Sequence, residues 1–342
     1  MSDRKIPIKN IYNMLCYVWG KLDEIDKTYL DAIENLDSLD FYSLIFIHHI
    51  ELIIKRGLLK EYKQNQEEIR TIKGKLLIME SINQSSLENS KAVCNFDQYS
   101  IDILHNRILK STIYKLIRSG INSHLKQQLM KIYPYFNNVR LIDIKLSDFK
   151  KIRLHRNNNY YKFILSLSEL IFQQLIVNEN TGKYEFIKFS EKRLHEIFEL
   201  FIYEFYKKEQ QRFQVKHHKI IRWQLNGENQ DKLPIMELDI FLQGNDKSII
   251  IDTKFYQDIF TERDKFKSYN MYQIYSYMNQ LNSYDEKHGL LLYPHNLDGK
   301  EVDEQYSFSL NSDNSTLRFA SIDLAQNWNL VKNRLLYIIN SY

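Results

Sequence analysis

Cysteine is scarce in this 342-residue chain: Cys16 and Cys94 are the only two. Two thiols so far apart make neither a disulfide scaffold nor a zinc site, and they read as reduced cysteines. Four prolines and nine glycines leave no stretch with the composition of a flexible linker. Domains should therefore be joined by packed elements. No signal-peptide pattern opens the chain, because "MSDRKIPIKN" is charged where an apolar segment would have to begin. Long apolar runs are missing too, and none reaches the roughly 18 residues of a membrane helix. The best candidate, "FYSLIFIHHIELIIK" (41–55), is broken by His48, His49 and Glu51 and reads as a buried helix. A cytoplasmic protein without membrane contact is expected. The formal charge of +4 excludes a histone-like basic protein but leaves room for a local basic groove.

What is present is core material. Apolar residues make up 44% of the chain, enough for a large core and for two domains. "IPIKNIYNMLCYVWGKL" (6–22) places Ile11, Met14, Leu15 and Val18 at helical spacing, with Trp19 beside them. A helix over about 40–57, a strand-like patch over 67–82 turning at Gly74, and helices over 106–121 and 123–136 follow. A new helical unit starts near 157–176. "SEKRLHEIFELFIYEFYKKE" (190–209) is the most regular helix, with Leu194, Ile197, Phe198, Phe201, Ile202 and Phe205 in one stripe and Ser190 as a candidate cap. Strand-like segments around 213–225, a hairpin, a helix near 264–284 and the strand "GLLLYP" (289–294) complete a helix–strand–strand–strand–helix–strand order, which predicts an α/β sheet core.

The hairpin "MELDIFLQGNDKSIIIDTKFY" (236–256) carries acids where a sheet normally takes apolar residues. Side chains alternate faces along a strand. A two-residue loop at Asn245-Asp246 pairs position 239 with 252, and one at Gly244-Asn245 pairs 239 with 250. Either loop puts Asp239, Asp252 and Lys254 on one face. Two carboxylates can hold a hard divalent cation such as Mg²⁺, with the Thr253 carbonyl as a further ligand. A lysine beside them can orient a water and stabilise charge on a phosphodiester under attack. Gln273 and Tyr277, four apart on the following helix, suit phosphate contact or water positioning. The alternative for the trio is a solvated, salt-bridged sheet face, and for the helix an ordinary tyrosine-rich core stripe.

Asp239, Asp252-Thr253-Lys254 and Gln273-x-x-x-Tyr277 together resemble the PD-(D/E)xK nuclease superfamily. More narrowly, the chain from about residue 6 to its end resembles the McrC family, the endonuclease subunits of McrBC-type methylcytosine-dependent restriction systems. The resemblance is carried by "IPIKNIYNMLCYVWGKL", "AVCNFDQYSIDILHNRILKSTI" (92–113), "NNYYKF" (159–164), "MELDI", "IIDTKFY", "NMYQIYSYM" (270–278) and "LLLYPH" (290–295), in that order. It implies a Mg²⁺-dependent endonuclease acting on double-stranded DNA. It also implies a partner, a McrB-like hexameric AAA+ GTPase that reads methylcytosine, and whose GTP hydrolysis this chain stimulates without using nucleotide itself. Asp239 and Asp252 would be metal ligands, Lys254 the catalytic lysine, and Gln273 and Tyr277 the accessory motif. Glu204 would be a further acid, with Glu199 competing for that role. Leu238 stands where the superfamily name has proline, which weakens the signature without removing a ligand.

The expected fold is therefore α/β, or α+β overall. Residues 1–155 would be a mostly helical partner-engaging domain with a small β insertion. Residues 156–342 would be a PD-(D/E)xK-type mixed-sheet nuclease domain flanked by helices. "RTIKGK" (70–75) is a candidate partner-facing tip, or simply a solvated turn. The basic, aromatic-rich "DFKKIRLHRNNNYYK" (148–162) is a candidate DNA-backbone segment, or a solvated connection. His217-His218 reads as structural, because neighbours on a strand point to opposite faces. Two other functions compete: a non-catalytic activator of an AAA+ GTPase with a lapsed nuclease fold, and a stand-alone repair-type nuclease. The intact trio argues against the first and the N-terminal resemblance against the second.

Overall fold

The computed structural model describes residues 6–22, 38–177, 184–186, 191–223, 232–255, 259–281, 286–294, 301–310 and 313–342. The chain divides into two compact units, residues 1–32 with 189–342, and residues 33–188. These limits differ from the boundary expected at 155/156, and the difference has a physical cause at the N-terminus. Helix α1 (Ile8–Trp19) is buried along almost its whole length. The Tyr17 ring packs on Phe201, Phe205 and Trp328, and its hydroxyl donates to Glu209 Oε1 at 2.5 Å. Asn10 Nδ2 donates to the carbonyls of Leu324 and Gln326, 2.8 Å each. The helix ends at Gly20, whose φ of 71° lets the Lys21 N–H turn back to the Cys16 carbonyl. The opening segment is thus a structural part of the C-terminal sheet unit.

The second unit begins with α2 (Ser38–Arg56). A small antiparallel sheet in the order β1 (Glu61–Ile69), β3 (Ala92–Ser100), β2 (Lys75–Leu76) follows, with the short α3 (Ile78–Asn83) between β2 and β3. The patch over 67–82, read as strand-like from sequence, is three elements: the end of β1, β2 and α3. "RTIKGK" turns from β1 to β2, and a Cβ at Gly74 would clash with the Asn95 carbonyl, so only glycine fits. Helices α4 (Leu104–Ile117), α5 (Ser123–Ile132), α6 (Leu146–Phe149) and α7 (Lys162–Gln174) and the strand pair β4 (Leu175–Val177) and β5 (Tyr184–Phe186) complete the unit. Asn106 organises its interior. Its Nδ2 donates to the Leu59 and Ile101 carbonyls, and its Oδ1 accepts from the Tyr161 hydroxyl at 2.7 Å. Lys110 is buried because the Phe136 and Val139 carbonyls accept from its Nζ.

In the first unit α8 (Glu191–Glu209) leads into β6 (Gln214–Ile221), β7 (Met236–Gln243), β8 (Lys247–Thr253), α9 (Ser268–Asn279) and β9 (Glu286–Pro294), the order expected from sequence. Then come β10 (Asp303–Leu310), β11 (Asp313–Ile322) and α10 (Trp328–Asn340). One mixed six-stranded sheet runs β10-β11-β9-β8-β7-β6, with β8–β9 and β9–β11 parallel and the other pairs antiparallel. Central β8 is buried from Ser248 to Thr253, which is why it reads as an unbroken isoleucine run. The candidate cap Ser190, and Tyr256 and His295 of the resembling blocks, lie outside the described residues. Among the described residues no helix is long and apolar enough to cross a membrane.

Candidate functional site

The β7–β8 hairpin closes with the Gly244 N–H donating to the Lys247 carbonyl at 2.9 Å, leaving Asn245-Asp246 as its two-residue loop. The ladder runs from Gln243↔Ser248 to Ile240↔Ile251. One further step sets Asp239 opposite Asp252, the first of the two registers considered from sequence. There the backbone ladder gives way to a side chain: Thr253 N–H donates to Asp239 Oδ2 at 3.1 Å, while Lys254 N–H turns to the Leu292 carbonyl. The acids therefore sit where the central strands part.

Asp252 is 1% exposed, and neither carboxylate oxygen accepts a hydrogen bond. Lys254 Nζ lies 2.9 Å from its Oδ2, an ion-pair contact. Burial pushes the Asp252 carboxyl up to about 7; Lys254 opposes this and Asp239 adds to it. Asp239 is raised as well, by burial first and then by the charge of Glu199, against the Thr253 N–H and Lys254. Two neighbouring buried acids that face one ammonium carry more negative than positive charge when both ionise. That donor set, oxygen only, fits a hard divalent cation.

Lys254 Nζ also donates to Gln273 Oε1 at 3.2 Å, and Gln273 Nε2 donates to the Tyr277 hydroxyl at 2.9 Å. The four-residue spacing on α9 puts both on one face. Gly289 on β9 lets that helix lie close, since a Cβ there would meet Met278 Sδ at 2.7 Å. The structure thus brings together Asp239, Asp252, Thr253, Lys254, Gln273 and Tyr277.

Glu204 is not brought in. It pairs with Lys207 and Lys208 of the same helix. Glu199 takes the inner position, because five residues turn a helix side chain about 140° around the axis. Burial alone would raise the Glu199 carboxyl, but His217, His218 and His195 hold it below its ordinary value. His195 is a residue that sequence reading missed. Its Nε2 lies 3.0 Å from the Thr253 carbonyl oxygen, the atom expected to serve a cation. The available signal was His195-x-x-x-Glu199 on one face of the most regular helix.

His217-His218 also departs from expectation. The two rings do not point to opposite faces; both reach Glu199, at 2.9 and 3.9 Å. His218 has a φ of 50°, which breaks the strand alternation.

Residues 8–294 match the family model described as McrBC 5-methylcytosine restriction system component. The chain belongs to this family. A curated relative from Escherichia coli (strain K12), the type IV methyl-directed restriction enzyme EcoKMcrBC, is 30% identical over 353 residues, covering 100% of this chain and 99% of that protein. A solved chain from the half-complex of a tetradecameric assembly of Thermococcus gammatolerans McrB AAA+ hexamers with bound McrC shares the fold. Its TM-score is 0.67 at 16% identity, covering 98% of this chain and 76% of that one. The McrBC family match spans both compact units. It therefore covers the Asn106–Tyr161 interior as well as the acids of the sheet.

Proposed function

We propose that this chain is the DNA endonuclease subunit of a methylcytosine-dependent restriction complex. It hydrolyses phosphodiesters of double-stranded DNA with Mg²⁺ and acts with a hexameric AAA+ GTPase, whose hydrolysis it stimulates. One observation carries the reading: Asp239 and the buried Asp252 are gathered with Lys254 at the end of a central strand. Family membership supports the restriction role, and the McrB hexamers named for the Thermococcus gammatolerans assembly support the partner. Asp239 and Asp252 are the acids that would hold the cation, with the Thr253 carbonyl within reach once His195 gives way. When bound, Mg²⁺ supplies Lewis-acid stabilisation of charge on the phosphoryl oxygens. Lys254 directs Nζ protons toward the same region and stabilises negative charge that develops on the phosphate. Gln273 fixes the Lys254 head group, and Tyr277 fixes Gln273.

The test is cleavage of methylated plasmid by the chain with its cognate GTPase, GTP and Mg²⁺, with GTP hydrolysis read in the same tubes. Asp252→Ala is expected to abolish cutting while GTPase stimulation persists. Undiminished cutting by Asp252→Ala would mean that these acids are only a charged sheet face. Absence of cutting by wild type, with GTPase stimulation intact, would favour the non-catalytic activator.

A further inference from the structure

His218 occupies a left-handed backbone conformation at φ 50°. A non-glycine residue holds that conformation only against backbone strain. Its effect is to bring the His217 and His218 rings to 3.8 Å between centroids, side by side on one carboxylate. One nitrogen from each ring and one Glu199 oxygen all lie within 4.8 Å of one another. A tetrahedral ion with bonds of about 2.0–2.2 Å sets its ligands roughly 3.3–3.5 Å apart. The observed Glu199 separations, 2.9 Å to His217 Nε2 and 3.9 Å to His218 Nε2, bracket that spacing. The outer ring nitrogen of His218 is also engaged: Nδ1 lies 2.8 Å from Glu237 Oε1. Metal-bound imidazoles use such a carboxylate to fix their tautomer and raise their basicity. The Tyr203 ring stacks on His217 at 4.6 Å and sets its plane.

We propose that Glu199, His217 and His218 form a binding site for one divalent transition-metal ion of the zinc class, with Glu237 as the outer carboxylate. Two imidazoles and one carboxylate favour zinc over magnesium, which prefers oxygen alone. Three protein ligands leave a fourth position open to solvent. The site differs in chemistry from the oxygen-only acids of Asp239 and Asp252 but touches them through Glu199, whose charge acts on Asp239. A bound ion would place positive charge at that junction.

Zinc binding to the full chain is measured by competition with a chromophoric chelator, in excess Mg²⁺ to saturate oxygen-only sites and without DNA or GTP. Wild type is expected to hold one zinc equivalent that His217→Ala loses. His218→Gly is expected to lose it too, with a melting temperature no lower than wild type, because glycine suits the positive φ. Glu237→Gln, which leaves all three ligands in place, is expected to weaken binding about 10- to 100-fold. Asp252→Asn is expected to retain the zinc. If wild type holds no zinc against Mg²⁺, or His217→Ala and His218→Gly bind it as tightly as wild type, the three side chains are an ion-pair cluster and no metal site. No step of this assay depends on hydrolysis, so that outcome would leave the nuclease reading untouched.

Discussion

Lys254 Nζ donates to Gln273 Oε1 across 3.2 Å, tying the end of β8 to α9. The bond helps to hold the lysine head group 2.9 Å from Asp252, and the third ammonium proton is left to face substrate. A graded series is expected in single-turnover cleavage at saturating Mg²⁺. Lys254→Ala removes the charge and should cost about 10²–10³-fold in rate, the usual loss for one preorganised donor. Gln273→Ala only loosens the lysine, and about 10-fold is expected, near 1.4 kcal/mol. Tyr277→Phe, one contact further out, should cost less than Gln273→Ala. Equal losses for all three would mean that the helix, not the chain of contacts, is what matters.

Asp252 makes a second expectation, in stability. Its carboxyl lies at about 7 in the folded chain, against about 3.9 in an unfolded one. The native state therefore binds a proton more tightly. This favours folding fully below pH 4 and fades as pH rises through about 7. Asp252→Asn removes that slope and relieves the buried charge. Without metal, the variant should melt above wild type at pH 8, by about 2–4 °C for each kcal/mol relieved. Added Mg²⁺ should raise wild type and not the variant. A variant that melts below wild type at pH 8 would mean that the Lys254 contact outweighs the burial.

Much of this centre was legible because strand alternation is rigid. With a two-residue loop, Asp239 and Asp252 had to share a face, and the hairpin closes on Asn245-Asp246. The helix–strand order of 191–294 was equally readable, since α8 shows a clean apolar stripe and β8 an unbroken apolar run. Three things were hidden. Choosing Glu199 over Glu204 needed the rotational setting of α8, and a stripe of apolar residues on a helix does not say which flanking acid turns inward. The joint approach of His217 and His218 needed a positive φ at a histidine, which no sequence rule predicts. The placement of α1 was hidden too, because its contacts, with Glu209, Leu324 and Trp328, lie some 200–300 residues away in sequence.

Gly289 supports the centre by being small. In Gly289→Ala the new Cβ would lie 2.7 Å from Met278 Sδ and 3.1 Å from Ile274 Cδ1. Met278 can swing aside, but Ile274 is fully buried and sits next to Gln273. Overpacking of this kind costs about 1–3 kcal/mol. Urea denaturation should show that loss, and cutting should fall with it as α9 is pushed outward. Gly57→Ala has open space around its Cβ but a φ of 93°. It should destabilise through backbone strain alone and leave the cutting rate of the folded protein unchanged.

At the far edge of the same sheet, Arg318 on β11 is 4% exposed and depends on Asp303 of β10 for its charge partner. Its Nε and Nη2 donate to the two Asp303 oxygens at 2.6 and 2.8 Å, and Nη1 reaches the Ile338 carbonyl and Ser341 Oγ, pinning α10. Arg334 adds a third bond to Asp303 at 2.9 Å. Burial would raise the Asp303 carboxyl, but the two guanidinium groups outweigh it and hold it below the usual carboxylate range. The contribution is therefore complete above pH 4, the unfolded value, and is lost as pH falls through the depressed folded one. Asp303→Ala leaves Arg318 buried without its carboxylate, and a loss of about 3–5 kcal/mol is expected in chemical denaturation at pH 7. The double variant Asp303→Ala with Arg318→Met removes both charges and should recover most of that loss. A single variant as stable as wild type would mean that the Ile338 and Ser341 contacts alone satisfy the arginine.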